Sequence, residues 1–82
     1  MGQLALFEGE IADVNDSGIT LKNEKGQEKF KTVPAVAIFK DGPYEGTPSS
    51  DLKSLEIGKE VEVKLSFIDN EFKISVISYV KP

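Results

Sequence analysis

A strict alternation of apolar and polar residues in the last third of the chain limits its possible folds more than any other feature. Apolar residues occupy every second position on both sides of the dipeptide Asp69-Asn70. These positions are Val61, Val63, Leu65, Phe67, Phe72, Ile74 and Val76. A period of two is that of a β-strand with one buried face. A two-residue connection indicates a tight hairpin, although the glycine preferred at its second position is missing. The predicted cross-strand pairs are Val63–Val76, Leu65–Ile74 and Phe67–Phe72, all on one face.

The first third of the chain predicts three more strands in a meander. Apolar residues or glycine alternate with other residues over 5–11, which indicates a first strand. Residues 18–22 predict a second strand, and residues 28–33 a third strand around Phe30. The intervening segments, 15–18 and 23–26, are rich in asparagine, aspartate and glycine and indicate turns.

The middle of the chain predicts a less regular connection. The apolar run 35–39 either extends the third strand beyond a break at Pro34 or forms a short separate strand. Residues 40–50 contain two glycines and two prolines and indicate a loop. Ser49 or Ser50 could cap a short helical turn over 51–55, with an aspartate in its favoured first position.

Length and composition indicate one domain over residues 1–82. The chain has no cysteine, which fits a reducing compartment. Its N-terminus reaches Glu8 and Glu10 too early for the apolar core of a signal peptide. No apolar run approaches the roughly 20 residues that span a bilayer. These features predict a cytoplasmic protein that does not enter membranes.

The order of these elements resembles the OB fold, a five-stranded barrel with a helical segment between strands three and four. Residues 51–63 place a helical turn, Gly58 and Val61-Glu62-Val63 in succession. This succession is similar to the start of the fourth strand in S1-type and cold-shock-type domains. Residues 7–21 similarly resemble their first hairpin. The resemblance implies an all-β, five-stranded OB-like barrel with a short helical turn between strands three and four.

The resemblance does not extend to the functional motifs of those families. Cold-shock domains carry aromatic and basic motifs on strands two and three. The corresponding segments here are 18–22 and 28–32, in which Phe30 is the one aromatic residue. Its phase points into the barrel, so it is predicted to belong to the core. The resemblance therefore supplies the fold and no functional residue.

Catalysis is not expected, and no cofactor or metal is predicted. Histidine and cysteine are both absent, which excludes the common nucleophile–base pairs. Four glutamates lie at outward phases and are expected to be solvated; they are Glu8, Glu10, Glu60 and Glu62. If the first and fourth strands pair, Glu8 and Glu10 could face Lys64. The acidic residues at 41, 45 and 51 are interpreted as an ordinary polar loop.

Single-stranded RNA or DNA is the leading predicted ligand. All ten basic residues are lysines, and with fourteen acidic residues the net charge is −4, so nucleic acid would need a local basic patch. Lys22, Lys29 and Lys31 fall at outward phases of strands two and three, the surface that OB folds often use. Lys40 lies in the long central loop. Phe39 and Tyr44 are the predicted aromatic partners for base stacking.

A protein partner, or a second copy of the chain, is the alternative ligand. Several apolar residues fall at outward phases of strands whose other face already supplies a core. They are Leu4, Leu6, Ile68, Ile77 and Tyr79. If adjacent, they would form an exposed apolar patch of the kind that mediates association. Alternatively, these residues fold over an end of the barrel, or a bulge displaces the predicted phase.

Overall fold

Five strands close into a barrel in the computed structural model, which describes residues 4–81. The strands are β1 (Leu4–Val14), β2 (Gly18–Asn23), β3 (Gly26–Phe39), β4 (Glu60–Ile68) and β5 (Glu71–Tyr79). Their order around the barrel is β1-β2-β3-β5-β4, and β4 pairs with β1 to close it. The β3–β5 pair is parallel and the other four pairs are antiparallel. The predicted all-β, five-stranded barrel is confirmed.

The β1–β2 turn forms because Asn15 supplies the acceptor that its backbone needs. The Asn15 Oδ1 atom accepts hydrogen bonds from the backbone N–H groups of Ser17 and Gly18, both at 2.9 Å. Glycine is required at position 18, because a Cβ there would lie 2.0 Å from the carbonyl oxygen of Phe30. The turn thereby brings β2 onto β3 in close register, with Ile19 buried opposite Phe30.

Strand β3 continues through Pro34, so the apolar run 35–39 is an extension of the third strand. Strand β3 pairs with β2 as far as Lys31, and it pairs with β5 at Lys31 and Thr32 and again from Ala37 onward. The register of the β3–β5 ladder shifts between Thr32 and Ala37. Pro34 lies in this interval, where its missing N–H interrupts no regular ladder.

A 3-10 turn (Leu52–Ser54) connects β3 to β4 and is the one helical element among residues 4–81. Asp51 caps it, and its Oδ1 accepts from the N–H of Lys53 at 3.1 Å. The prediction of a turn over 51–55 capped by Ser49 or Ser50 was wrong in its bounds and its cap. Ser49 is held in extended conformation by two backbone hydrogen bonds with Ile38. No helix in the described part of the chain is long and apolar enough to cross a membrane.

The β4–β5 hairpin has the predicted two-residue turn at Asp69-Asn70. Both residues adopt positive φ, 54° and 64°, which is the conformation of a type I′ turn. Asparagine tolerates this conformation well, which explains why glycine is dispensable at the second position. The register places Phe67 opposite Phe72, as predicted.

A bulge at Ser75 reverses the phase of the second half of β5. Leu65 pairs with Ile74 as predicted. The residue before Leu65, Lys64, pairs with Val76, so Ser75 is an extra residue without a partner in β4. Val63 therefore lies opposite Ile77, and the predicted Val63–Val76 pair was wrong.

The prediction that Ile77 and Tyr79 are exposed was wrong, because the bulge turns both side chains into the barrel. Ile77 is 0% and Tyr79 4% exposed, and both belong to the core. The Tyr79 hydroxyl accepts a hydrogen bond from the N–H of Glu56 at 3.2 Å, which satisfies the buried phenol. The core also contains eleven other buried hydrophobic residues. They are Ile11, Ile19, Leu21, Phe30, Val36, Ile38, Leu55, Val61, Val63, Leu65 and Ile74.

Candidate functional site

The outer surface of the β2–β3 hairpin carries the three predicted lysines Lys22, Lys29 and Lys31. Residues directly opposite one another in a ladder share a face, and Lys29 lies opposite Thr20 while Lys31 lies opposite Gly18. All three lysines are exposed. The Lys22 side chain is less exposed than that of Lys31, 49% against 68%, and its Nζ lies 3.7 Å from Glu10 Oε2 at the border with β1.

Strand β5 adds a fourth lysine, Lys73, to this surface. Lys73 is the partner of Lys31 in the parallel β3–β5 ladder. Both ammonium groups lie near one carboxylate oxygen of Glu71, at 3.9 Å from Lys31 and 3.7 Å from Lys73. One carboxylate therefore serves two cations, and Lys29 adds a third positive charge nearby. We call Lys29, Lys31 and Lys73 the basic face.

Two phenylalanines lie at the tip of the β4–β5 hairpin, at the end of the strand that carries Lys73. The rings of Phe67 and Phe72 meet edge to face, with centroids 5.1 Å apart. Phe67 is 45% and Phe72 41% exposed, although the alternation of the sequence predicts a buried pair. Both residues have the predicted inward phase, the same as Leu65 and Ile74. They lie one residue from the turn, however, and so project beyond the last layer of the core. Phe72 stands between Glu71 and Lys73 in the chain. We call Phe67 and Phe72 the aromatic pair.

Lys40 has a structural contact that the sequence did not indicate. Its Nζ donates a hydrogen bond to the carbonyl oxygen of Ser54 at 2.8 Å. This contact joins the end of β3 to the 3-10 turn. A carbonyl at the end of a helical turn needs a donor from outside the turn, and a cation supplies a strong one. The structure therefore engages Lys40 away from the basic face.

Tyr44 lies over the outer face of β4 and not beside the predicted lysines. Its phenol donates a hydrogen bond to Glu62, and the ammonium of Lys64 lies 4.5 Å from its ring centroid. Burial raises the pKa of Tyr44 to about 12, and the hydrogen bond and charge of Glu62 and the charge of Glu8 add to the effect. These contacts hold the loop after β3 against the barrel wall.

Phe39 packs against Tyr44, with ring centroids 6.0 Å apart. It lies at the far end of β3 from Lys31, roughly 25 Å along an extended strand. Of the six predicted site residues, the structure thus brings Lys22, Lys29 and Lys31 together. Lys40, Phe39 and Tyr44 lie elsewhere.

A row of paired glutamates occupies the outer surface of β1 and β4. Glu8 lies opposite Glu62, and Glu10 lies opposite Glu60. The expectation that Glu8 and Glu10 face Lys64 was wrong, because the register places Leu6 opposite Lys64. Like charges directly opposite one another are destabilising. We call these four glutamates the acidic wall.

The apolar positions proposed for a protein partner are largely dispersed. Leu6 is 63% and Ile68 39% exposed, as the outward phase predicted. The ladder separates them by four positions along β4, about 13 Å. The side chain of Leu4 lies outside the described residues. With Ile77 and Tyr79 buried, the described residues supply no continuous apolar patch on the predicted strand positions.

Comparison with protein-family models, with curated proteins and with solved structures finds no match to this chain. Within residues 4–81, no group of three or more acidic side chains is arranged to hold a metal ion. A function must therefore be inferred from the exposed surfaces, above all from the basic face and the aromatic pair.

Proposed function

We propose that this protein is a noncatalytic module that binds single-stranded nucleic acid across the basic face. The observation that carries the proposal is the cluster of lysines on the outer faces of the paired strands β3 and β5, with two exposed phenyl rings at the hairpin end of β5. Proteins that bind single strands combine cations along the phosphate backbone with aromatic rings on which bases stack. The basic face supplies the cations and the aromatic pair supplies the rings. Phe72 and Lys73 point to opposite faces of β5, so a bound strand would pass over the end of the barrel to reach both.

The uneven distribution of charge supports the basic face as the location of the bound nucleic acid. The chain has a net charge of −4, yet the acidic wall concentrates four carboxylates on β1 and β4. The basic face lies on β3 and β5, where Glu71 is shared by Lys31 and Lys73. A polyanion would be repelled by the acidic wall and attracted to the basic face. Binding would therefore be local and strongly dependent on salt concentration.

The barrel topology supports the proposal by analogy. The strand order β1-β2-β3-β5-β4 is compatible with the OB fold, which binds oligonucleotides on strands two and three and on the β1–β2 and β4–β5 loops. The aromatic pair flanks the β4–β5 turn, and Lys29 and Lys31 lie on β3. Fold alone does not define function, so the exposed side chains carry the argument.

Fluorescence anisotropy of labelled oligothymidylate and oligouridylate of about ten nucleotides tests this proposal. We expect saturable binding that weakens as salt rises, because bound lysines release counterions from phosphates. The double variant Lys29→Glu, Lys31→Glu should lose binding while keeping the circular dichroism spectrum of the folded barrel. Phe72→Ala should weaken binding about tenfold, since a stacked base contributes roughly 1–3 kcal/mol.

The matched control is Lys59→Glu, Lys81→Glu, which makes the same change in net charge outside the basic face. Lys59 and Lys81 adjoin Glu60 and Val80, whose backbone groups are hydrogen-bonded to each other. This control should bind nearly as well as the wild type. Equal losses in both double variants, or no binding by the wild type at low salt, would refute the proposed site.

Protein association at the same hairpin is the second candidate function. Phe67, Ile68 and Phe72 are each more than a third exposed at one tip. Exposed aromatic residues are common anchors of protein interfaces. Sedimentation velocity over a range of protein concentrations tests self-association, and Ile68→Asp should abolish any dimer. A monomer at all concentrations would leave self-association without support.

A further inference from the structure

A cleft of about 450 Å³ lies beside the basic face, between the β1–β2 turn and the 3-10 turn. Asp16 and Ser17 form one side, and Leu52 and Lys53 form the other. Part of its floor is Val36, which is 2% exposed and belongs to the core. The volume lies within the range of small-molecule sites, roughly 300–1,000 Å³.

The cleft has an apolar floor with polar groups at its edge. Val33 and Leu52 are partly buried against the core and line the cleft with Val36. Ser17 and Ser50 are exposed and also line the cleft, and the Ser17 hydroxyl donates a hydrogen bond to Asn15 Oδ1 at 3.2 Å. An apolar floor with a few polar groups around it suits a flat heterocycle that has hydrogen-bonding edges. An unpaired nucleobase has this chemistry.

Lys31 makes the cleft continuous with the basic face. It lines the cleft and is also the partner of Lys73 in the β3–β5 ladder. A strand whose phosphates follow Lys73 and Lys31 would therefore reach the cleft next. Lys53 lies at the opposite side and offers a second cation for the same phosphate or its neighbour.

Lys53 forms a weak ion pair with Asp16. Its Nζ lies 3.3 Å from Asp16 Oδ1, and the two side chains are 76% and 86% exposed. Ion pairs this exposed contribute little to stability, so a phosphate can replace Asp16 at small cost. The other carboxylate in the cleft, Asp51, accepts the N–H of Lys53 as the cap of the 3-10 turn.

We propose that this cleft receives one nucleotide of the single strand bound on the basic face. The base lies against Val33, Val36 and Leu52, and its phosphate lies between Lys31 and Lys53. Asp16 competes with that phosphate for Lys53. This inference rests on the proposed function, and it adds a subsite at which the strand is held by shape as well as by charge.

Two substitutions that each remove one charge at the mouth of the cleft test the subsite with the same labelled oligonucleotides. Lys53→Gln removes the cation and should weaken binding about threefold to tenfold. Asp16→Asn removes the competing carboxylate and should strengthen binding about twofold to threefold. Lys59→Gln is the matched control and should leave affinity unchanged. Nuclear magnetic resonance should show the amide signals of Ser17, Val36 and Leu52 shifting during titration.

The outcomes separate this inference from the proposed function. Wild-type affinity in both Lys53→Gln and Asp16→Asn, with unmoved amide signals in the cleft, would overturn the subsite. If the double variant Lys29→Glu, Lys31→Glu still lost binding in that case, the proposed function would stand. Absence of binding by the wild type would overturn both.

Discussion

The phenol of Tyr44 donates a hydrogen bond to the carboxylate of Glu62 and thereby ties the loop after β3 to the barrel wall. Glu62 lies opposite Glu8 across the β1–β4 ladder, so the phenol meets two negative charges. A tyrosinate formed there would be repelled by both. The neutral phenol is therefore favoured in the folded protein.

The titration of Tyr44 should be displaced to high pH. Burial and Glu62 raise its pKa from 10.0 to about 12, so the folded state favours the protonated form. This contribution to stability is present below pH 10 and is lost as the pH rises to about 12. Glu62→Gln should lower the pKa toward the ordinary value, but incompletely, because burial remains. The difference in tyrosinate absorbance between the wild type and Tyr44→Phe isolates this group.

Glu45→Gln is the control for the Tyr44 titration, because Glu45 lies in the same loop but does not contribute to the pKa shift. It should leave the midpoint unchanged. A midpoint near 10 in the otherwise wild-type protein would show that the Tyr44–Glu62 contact does not persist in solution.

Deletion of Ser75 should leave the barrel folded but less stable. The deletion removes only the extra residue, so Ile77 stays opposite Val63 and Tyr79 opposite Val61, and both remain in the core. It removes the contacts of the Ser75 hydroxyl with Ser66 and with the carbonyl oxygen of Lys64, and we expect a loss of about 1–2 kcal/mol. Thermal unfolding followed by circular dichroism should show a cooperative transition at a lower temperature. Loss of the transition would show that the barrel cannot close without the bend at the bulge.

Gly18→Ala should destabilise the barrel more than Gly9→Ala. A Cβ at position 18 would lie 2.0 Å from the carbonyl oxygen of Phe30, so the backbone of β2 or β3 must move. At position 9 the nearest atom, the carbonyl oxygen of Lys22, is 3.0 Å away and a smaller shift suffices. Urea unfolding should give a loss of about 3 kcal/mol for Gly18→Ala and about 1 kcal/mol for Gly9→Ala. Similar losses would contradict the close approach at Gly18.

Lys40→Met should lower stability without changing nucleic-acid affinity. The substitution removes the hydrogen bond from Nζ to the carbonyl oxygen of Ser54 while keeping much of the aliphatic stem. We expect a loss of about 1 kcal/mol in urea unfolding. Lys29→Met should show the reverse pattern, with unchanged stability and weaker binding. Weaker binding by Lys40→Met at unchanged stability would instead show that Lys40 contacts the nucleic acid.

The sequence was sufficient for the fold because its strongest signals are local. The period of two around Asp69-Asn70 and the turn residues near Asn15 and Gly26 define hairpins from neighbouring residues alone. The bulge at Ser75 is different. The successive apolar residues Val76 and Ile77 show that the alternation changes phase, but they do not show whether a bulge or an exposed patch results. The outcome depends on how the paired strands bend to close a barrel.

The candidate site was predicted only in part for the same reason. Lys29 and Lys31 lie on a regular hairpin, so their face follows from the phase of β3. The roles of Lys40 and Tyr44 depend on Ser54 and Glu62, which are distant in the chain and brought near by the loop. The alternation predicts a core position for Phe72. Its ring is exposed because it lies beyond the last layer of the core, and the alternation does not show where that layer ends.

The pairing of β1 with β4 also has a kinetic consequence. It joins residues roughly fifty to sixty positions apart, from Leu4 with Ser66 to Glu10 with Glu60. Closing so long a segment has a large entropic cost before any contact is gained. The three-stranded meander can form from local contacts, whereas the barrel wall is completed only when both ends of the chain meet. We therefore expect refolding in roughly milliseconds to seconds, with the β1–β4 amides the last to gain protection from hydrogen exchange.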